Sequence, residues 1–233
     1  MSLGEDVLWN LHRRGEFVRL LDEARTSRIS VVRGTAAERL LVAHALASTG
    51  KVTEAEKLLQ RLQPKELTGE DRPLSHIALG IVREQSADPE GAEKEYWRGA
   101  ELARQSGGSI AGLWAELYRF RLLAERQPAD VVAAMMPDLR RKVLRSGDRS
   151  VLAYLHMCIV VFEGQRGRLE EAQRHCGIVE AHLASVHNYS LHCAHQLNKG
   201  CIYFLDGNLV AAKEAFDEAL RLVDRTEIGR AHV

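Results

Sequence analysis

The chain of 233 residues carries 32 Lys and Arg against 32 Asp and Glu, which makes it formally neutral at pH 7. This balance argues against the basic surface that nucleic acid or an anionic membrane selects, so we expect neither partner. Only 5 Pro and 6% aromatic residues occur in a chain rich in Ala, Leu, Glu and Arg, which favours helices over strands. The first residues contain no long apolar run, so we expect neither a signal peptide nor an anchor and predict a cytoplasmic protein.

The predicted elements, in chain order, are helix pairs separated by Gly, Pro, Ser or Asn residues. The first pair is degenerate and turns at Gly15, and the second turns at Gly50. The third turns at Asp88 and Pro89, and Pro128 makes the turn of the fourth, whose sequence diverges most. The six predicted pairs span residues 4–28, 36–64, 73–106, 110–146, 150–187 and 190–225.

The last two pairs carry the same residue pattern 40 positions apart. The pattern occurs at Gly167, Leu169, Ala172, Cys176 and Val179, and again at Gly207, Leu209, Ala212, Phe216 and Ala219. Further upstream, Ala55 precedes its counterpart Ala92 by 37 residues. Because each helix pair cannot bury its apolar face alone, a repeated pattern of this length predicts stacked neighbouring pairs.

The final copy, residues 193–224, resembles a tetratricopeptide repeat. The resemblance rests on Gly200, Tyr203, Gly207, Leu209, Ala212, Phe216 and Ala219, while Gln196 and Lys199 stand where the family has Trp and Leu. It implies an all-α, right-handed superhelical solenoid of about six antiparallel helix pairs over residues 1–226, with a repeat spacing of about 37–40 residues instead of 34. Such spacing is similar to that of the bacterial signalling relatives of the family. The resemblance also implies a non-enzymatic scaffold that binds proteins.

In such a solenoid the first helix of each pair lines a concave groove that binds a peptide or a partner domain. The candidate groove residues are His44, Ile81, Trp114, Tyr118, Arg121, Tyr154 and Asn198. Trp114, Tyr118 and Arg121 share one helical face, and Trp, Tyr and Arg are enriched at binding hot spots. Packing between repeats is the alternative role for Trp114 and Tyr118.

Histidine and cysteine are concentrated in the last two pairs, which raises a metal site or a thiol enzyme as alternatives. The residues are His156, Cys158, His175, Cys176, His182, His187, His192, Cys193, His195 and Cys201. Zinc needs three or four such ligands to converge, and the sequence contains neither a CxxC pair nor an HExxH motif. We therefore interpret the cysteines as reduced packing residues and expect no cofactor and no catalytic activity.

The last seven residues, 227–233, read EIGRAHV and back-translate into an adapter used in short-read sequencing libraries. We therefore predict that they are an artefactual tail, with a natural polar tail as the alternative. A chain cut near Thr226 would leave its last helix pair with an exposed apolar side. A second function then stays open beside the scaffold: the N-terminal sensory array of a larger bacterial transcriptional regulator or signalling kinase.

Overall fold

The computed structural model describes residues 3–29 and 33–225. These residues form twelve α-helices and a short 3₁₀ helix at Pro64–Glu66. The α-helices are α1 (Leu3–Arg13), α2 (Phe17–Thr26), α3 (Ala36–Ser48), α4 (Val52–Leu59), α5 (Asp71–Gln85), α6 (Pro89–Gln105), α7 (Ile110–Arg126), α8 (Ala129–Ser146), α9 (Arg149–Gln165), α10 (Leu169–Leu183), α11 (Tyr189–Leu205) and α12 (Leu209–Arg225). The predicted all-α class is confirmed over this part of the chain. The predicted artefactual tail, residues 227–233, lies outside the described residues.

Adjacent helices pack in pairs, as a helical solenoid requires. The chain forms two compact units, Met1–Leu123 and Ala124–Val233. In the first unit α1 packs on α2, α3 on α4 and α5 on α6, and in the second α9 packs on α10 and α11 on α12. Connections of only a few residues make the members of each pair antiparallel. Among the described helices, none is long and apolar enough to cross a membrane.

One turn geometry recurs between the two helices of a pair. It is held by glycines in the left-handed region, with φ of 63° at Gly15, 80° at Gly50, 70° at Gly167 and 78° at Gly207. Ala87 occupies the same position in the third pair, with φ of 58°. Glycine reaches this region without the clash that a Cβ brings, so the third pair keeps the turn at a steric cost.

The core of the first unit is built around α3. Eight consecutive residues of this helix, 40–47, are buried, because α3 packs against α1, α2, α4 and α5. A helix that is surrounded in this way must be apolar on every side, and the sequence LLVAHALA satisfies this requirement at all but one position. The exception is His44. The helix begins with a capping box, in which Thr35 and Glu38 bond to each other's backbone N–H groups.

In the second unit α9 is the buried helix, and α10 and α11 both pack on it. Side-chain sizes within each pair are complementary. In α11, Gly200 leaves room for the Phe216 ring of α12, which a Cβ at Gly200 would approach to 2.5 Å. The equivalent positions one repeat earlier carry Val160 and Cys176, a larger residue facing a smaller one, and these two belong to one buried cluster. Each pair therefore fills the same space between its two helices. In the last pair the larger side chain comes from the second helix, and in the preceding pair it comes from the first.

Candidate functional site

Two of the predicted groove residues lie in the interior of the first unit. His44 is 6% exposed and Ile81 is 9% exposed. The Nδ1 atom of His44 lies 3.2 Å from Nε2 of His12, and both imidazole rings contact Phe17. Burial lowers the pKa of His44 to about 4, and it holds the pKa of His12 well below its usual value. This neutral histidine pair joins α1 to α3 and offers almost no surface to a partner.

The predicted hot-spot face of α7 is occupied mainly by contacts within the first unit. The Tyr118 ring stacks on Tyr96 with 5.4 Å between centroids, and the Trp114 ring lies 6.3 Å from Tyr118. Both Trp114 and Tyr118 pack against the hydrophobic core. Arg121 forms an ion pair with Glu84 of α5, in which both side chains are partly buried. These positions therefore have clear structural roles, which is the alternative that the sequence left open.

The remaining two groove residues, Tyr154 on α9 and Asn198 on α11, are half-buried in the second unit. The sequence therefore placed its candidate residues on the first helices of the pairs, but the packing of those helices leaves only part of each side chain accessible.

Of the cysteines expected to be packing residues, Cys158 and Cys176 are buried, whereas Cys193 is half-buried and Cys201 is exposed. The Nδ1 atoms of His156 and His175 lie 2.7 Å apart, and the His182 ring stacks on His156 at 5.9 Å. Burial, followed by the proximity of His175, lowers the pKa of His156 to about 4. Burial raises the pKa of the Cys176 thiol to about 11 and also raises that of Cys193, which disfavours the reactive thiolate. Across residues 3–29 and 33–225, no three His, Cys, Asp or Glu side chains are placed to hold a metal ion.

The largest group of exposed apolar side chains lies on the last helix pair. We call it the C-terminal apolar face; it consists of Leu197, Phe204, Leu205, Leu209, Val210 and Leu220, which are 47–73% exposed. Single exposed apolar residues are common on protein surfaces, but a concentration of six on two neighbouring helices indicates a surface for interaction. A chain cut near Thr226 predicts an exposed apolar side on this pair, but the repeat pattern includes Leu209 alone among these residues and does not indicate that it is exposed.

Comparison with the preceding repeat shows why this face is exposed. Forty residues earlier, Leu197, Phe204 and Leu220 correspond to Met157, Gly164 and Glu180. Met157 is 3% exposed, Gly164 is contacted by Ile202 of α11, and Glu180 accepts a hydrogen bond from Lys199 of α11. On the α9–α10 pair, α11 therefore lies over Gly164 and contacts Glu180, whereas Gln165 and Glu170, the equivalents of Leu205 and Val210, are exposed. On the α11–α12 pair, no helix within the described residues follows to lie over Phe204 and Leu220.

Comparison with known proteins supports the fold and goes no further. No family model and no curated protein matches the chain. Among solved structures, the crystal structure of BtubC (BKLC) from P. vanneervenii is similar, with a TM-score of 0.55 over 97% of this chain and 93% of that chain. The two share 16% sequence identity, so the similarity shows a helical-repeat-like fold alone.

Proposed function

We propose that this chain is a tetratricopeptide-like, non-enzymatic protein-binding scaffold, and that its binding surface is the C-terminal apolar face. The observation that carries the proposal is the exposure of Leu197 and Phe204 at positions whose equivalents in the preceding repeat, Met157 and Gly164, are buried. The partner is accordingly an amphipathic helix of another protein. This surface replaces the groove residues as the main candidate, because they are largely occupied by packing.

The magnitude of apolar burial is sufficient for such binding. Burying a Leu, Val or Phe side chain fully contributes about 1.5–3 kcal/mol relative to leaving it exposed. Association costs about 4–15 kcal/mol in lost translational and rotational freedom, so most of the six side chains, which are already partly buried, must be covered before binding is measurable. All six lie within one helix pair.

Chemical considerations support a binding function over a catalytic one. The Cys176 thiol has its pKa raised to about 11 by burial, so it is a poor nucleophile at neutral pH. His44 is buried, and its imidazole lies within hydrogen-bond distance of the partly buried His12. The scaffold uses no cofactor, and the formal neutrality of the chain favours a protein partner over nucleic acid or a membrane surface.

The test compares the wild-type chain with two variants at equally exposed leucines. Leu220→Asp alters the C-terminal apolar face, and Leu144→Asp alters α8, where Leu144 is 57% exposed. Each immobilised protein is incubated with a cell extract, and any retained protein is purified and measured for direct binding. We expect a partner that binds the wild type and Leu144→Asp at least tenfold more tightly than Leu220→Asp. Equal binding to all three proteins, or no partner for the wild type, contradicts the proposal.

The second candidate, an N-terminal sensory array of a larger bacterial regulator or kinase, is supported by the same exposed face. An effector domain attached to the chain could cover it in place of a separate partner. The uninterrupted gene decides between them: an open reading frame continuing past Thr226 into such a domain supports the regulator, and a stop codon soon after Thr226 excludes it.

A further inference from the structure

The contact between α11 and the preceding pair shows how a helix lies on this kind of surface. Ile202 lies over Gly164, where a Cβ would come within 2.5 Å of its Cδ1 atom, and it joins Val160, Ala172 and Cys176 in one buried cluster. The contacting residues of α11 are spaced along one helical face, because residues three and four positions apart are neighbours on a helix. Ile202 is the apolar centre of that contact.

Polar contacts fix the two ends of the same interface. In the middle of α11, Lys199 donates to Oε1 of Glu180 at 2.5 Å, and Nε2 of His195 lies 3.5 Å from the same oxygen. Just beyond the end of α11, Asp206 accepts a hydrogen bond of 2.9 Å from Gln173. The four contacting residues of the covering helix are therefore His195, Lys199, Ile202 and Asp206, at positions i, i+4, i+7 and i+11.

Moving this interface forward by one repeat changes each of its three contacts. Phe204 replaces Gly164, so the covering helix has no room for an isoleucine at i+7. Leu220 replaces Glu180, so charged groups at i and i+4 would lose their partner. Lys213 replaces Gln173, so an acid at i+11 is kept, but it would face an exposed cation that is bonded to Asp217. The surface thus specifies a different helix from α11.

We propose that the partner helix carries aliphatic residues at i and i+4, Ala or Gly at i+7, and Asp or Glu at i+11. This inference rests on the proposed function and adds the residue pattern of the partner. Ala or Gly at i+7 lets the helix backbone lie against Phe204, the aliphatic residues cover Leu220, and the acid faces Lys213. The pattern forms a single apolar stripe that ends in a charge.

We assign the partner helix to another protein, since α1 of a second copy stacked end to end fits this pattern only in part. Aligned on the turn glycines Gly15 and Gly207, α1 has the aliphatic residues Leu3 and Val7 at i and i+4, but it would present Asn10 to Phe204 and Arg14 to Lys213. A polar amide on the aromatic ring and two facing cations both disfavour that contact.

The test uses two stapled helical peptides based on residues 189–206, with both cysteines replaced by serine. The first carries His195→Leu, Lys199→Leu and Ile202→Ala, and the second is identical but keeps Ile202. Binding to the 233-residue chain is measured by fluorescence anisotropy. We expect the alanine peptide to bind the wild type at least tenfold more tightly than the isoleucine peptide, and Phe204→Gly to reverse this order, because it restores the space that Gly164 gives Ile202.

Two further variants keep the result interpretable. Phe204→Ala retains helix propensity and should shift the preference toward the isoleucine peptide, and Leu144→Asp should bind both peptides as the wild type does. Failure of the wild type to bind the alanine peptide, equal binding of the two peptides, or an unchanged order in Phe204→Gly overturns the pattern. The proposed function is judged separately, by the loss of a natural partner in Leu220→Asp.

Discussion

Ala87 holds, with φ of 58°, the turn position that glycine occupies in four other helix pairs. A left-handed conformation costs an L-residue about 1–2 kcal/mol, whereas glycine costs about 0.4–1 kcal/mol of extra unfolded-state entropy. We therefore predict that Ala87→Gly stabilises the first unit by roughly 0.5–1 kcal/mol. Urea unfolding followed by tryptophan fluorescence measures this, because Trp9, Trp97 and Trp114 all belong to the first unit.

The matched control is the converse change, Gly207→Ala. A Cβ at Gly207 would meet no atom within 4 Å, so only the backbone strain at φ of 78° opposes the substitution. A loss of about 1 kcal/mol in unfolding monitored by circular dichroism is expected. Destabilisation by Ala87→Gly would show that relief of backbone strain at this turn does not determine the stability of the variant.

The pairing of His12 with His44 predicts a loss of stability in mild acid. The folded-state pKa of His44 is about 4 and that of His12 is also lowered, whereas an unfolded histidine titrates near 6.5. Below pH 6.5 the unfolded chain binds more protons than the folded one, so stability is complete above that pH and falls as the pH drops toward 4. For His44 alone the loss is on the order of 3 kcal/mol.

The measurement is the free energy of unfolding of the first unit, by tryptophan fluorescence, at several values between pH 4 and pH 8. His44→Leu removes one titrating group, so its profile should be flatter than that of the wild type by up to one proton. Identical slopes in the two proteins would mean that His44 is already accessible to protons in the folded chain.

The same residue shows where prediction from sequence ends. The left-handed turn glycines could be predicted because Gly15, Gly50 and Gly207 each end a run of helical periodicity and need no distant contact. His44 was placed in a groove by its position in the repeat, and the local sequence gave no sign that α1 supplies a second imidazole. Contacts between residues 32 positions apart depend on tertiary packing that periodicity does not describe.

At the level of the helix pair, size complementarity between Gly200 and Phe216 is testable by a double-mutant cycle. Gly200→Val introduces a side chain against the Phe216 ring and should cost about 1–3 kcal/mol. Phe216→Cys leaves a cavity and should cost about 2–4 kcal/mol. The double variant reproduces the combination Val160 and Cys176 of the preceding repeat, so we expect it to be more stable than the sum of the single effects by about 1–2 kcal/mol.

Unfolding by urea, monitored by circular dichroism, measures the change in the free energy of unfolding of each single variant and of the double variant relative to the wild type. Gly177→Ala in α10 is the control for a glycine substitution within a helix, because a Cβ there would meet no atom within 4 Å. Additive effects of the two substitutions would mean that the two sites do not share one packing volume.

The helices themselves could be predicted more fully than their exposed surfaces. Ala212, Phe216 and Ala219 have a helical spacing that identifies the buried side of α12 without a structure. The exposure of Leu220 could not be read from this pattern, since an apolar residue at such a position is equally consistent with burial. The exposure of Leu220 could be predicted only by comparison with Glu180, 40 residues earlier. An acid at that position indicates that it is not part of the core of the pair.

At the scale of the whole chain, the neutral charge and the C-terminal apolar face together predict limited solubility. The isoelectric point is about 7.2, and a protein near zero net charge has little repulsion to oppose association through an apolar surface. We expect solubility to be lowest near pH 7 and Val210→Glu to raise it about twofold or more there, because Val210 is 73% exposed.

Leu144→Glu provides the control, since it adds the same charge at an exposed leucine of α8, outside this face. Saturation concentrations measured by centrifugation after precipitation with ammonium sulfate compare the proteins directly. An equal increase in solubility from Val210→Glu and Leu144→Glu would show that the effect comes from net charge alone.

Within the described residues, the all-α class and the pairs that pack within each unit were predictable, because each pair repeats one local pattern. The division into two compact units was not, because the boundary after Leu123 falls near the end of a continuous helix, α7, where the sequence contains no proline or glycine. Domain limits depend on the density of contacts between helices, and a helix that continues across the limit gives no local signal.

The presence of Phe204 where the preceding repeat has Gly164 also bears on how the array could lengthen during evolution. Tandem duplication of α11 and α12 would bring the copy of Ile202 onto Phe204, where its side chain has no room. A duplicated gene would therefore encode a clash at the new junction, and a further substitution at one of the two positions would be needed before the longer array could fold. Duplication of the α11–α12 pair without a further substitution would therefore not give a packed longer array.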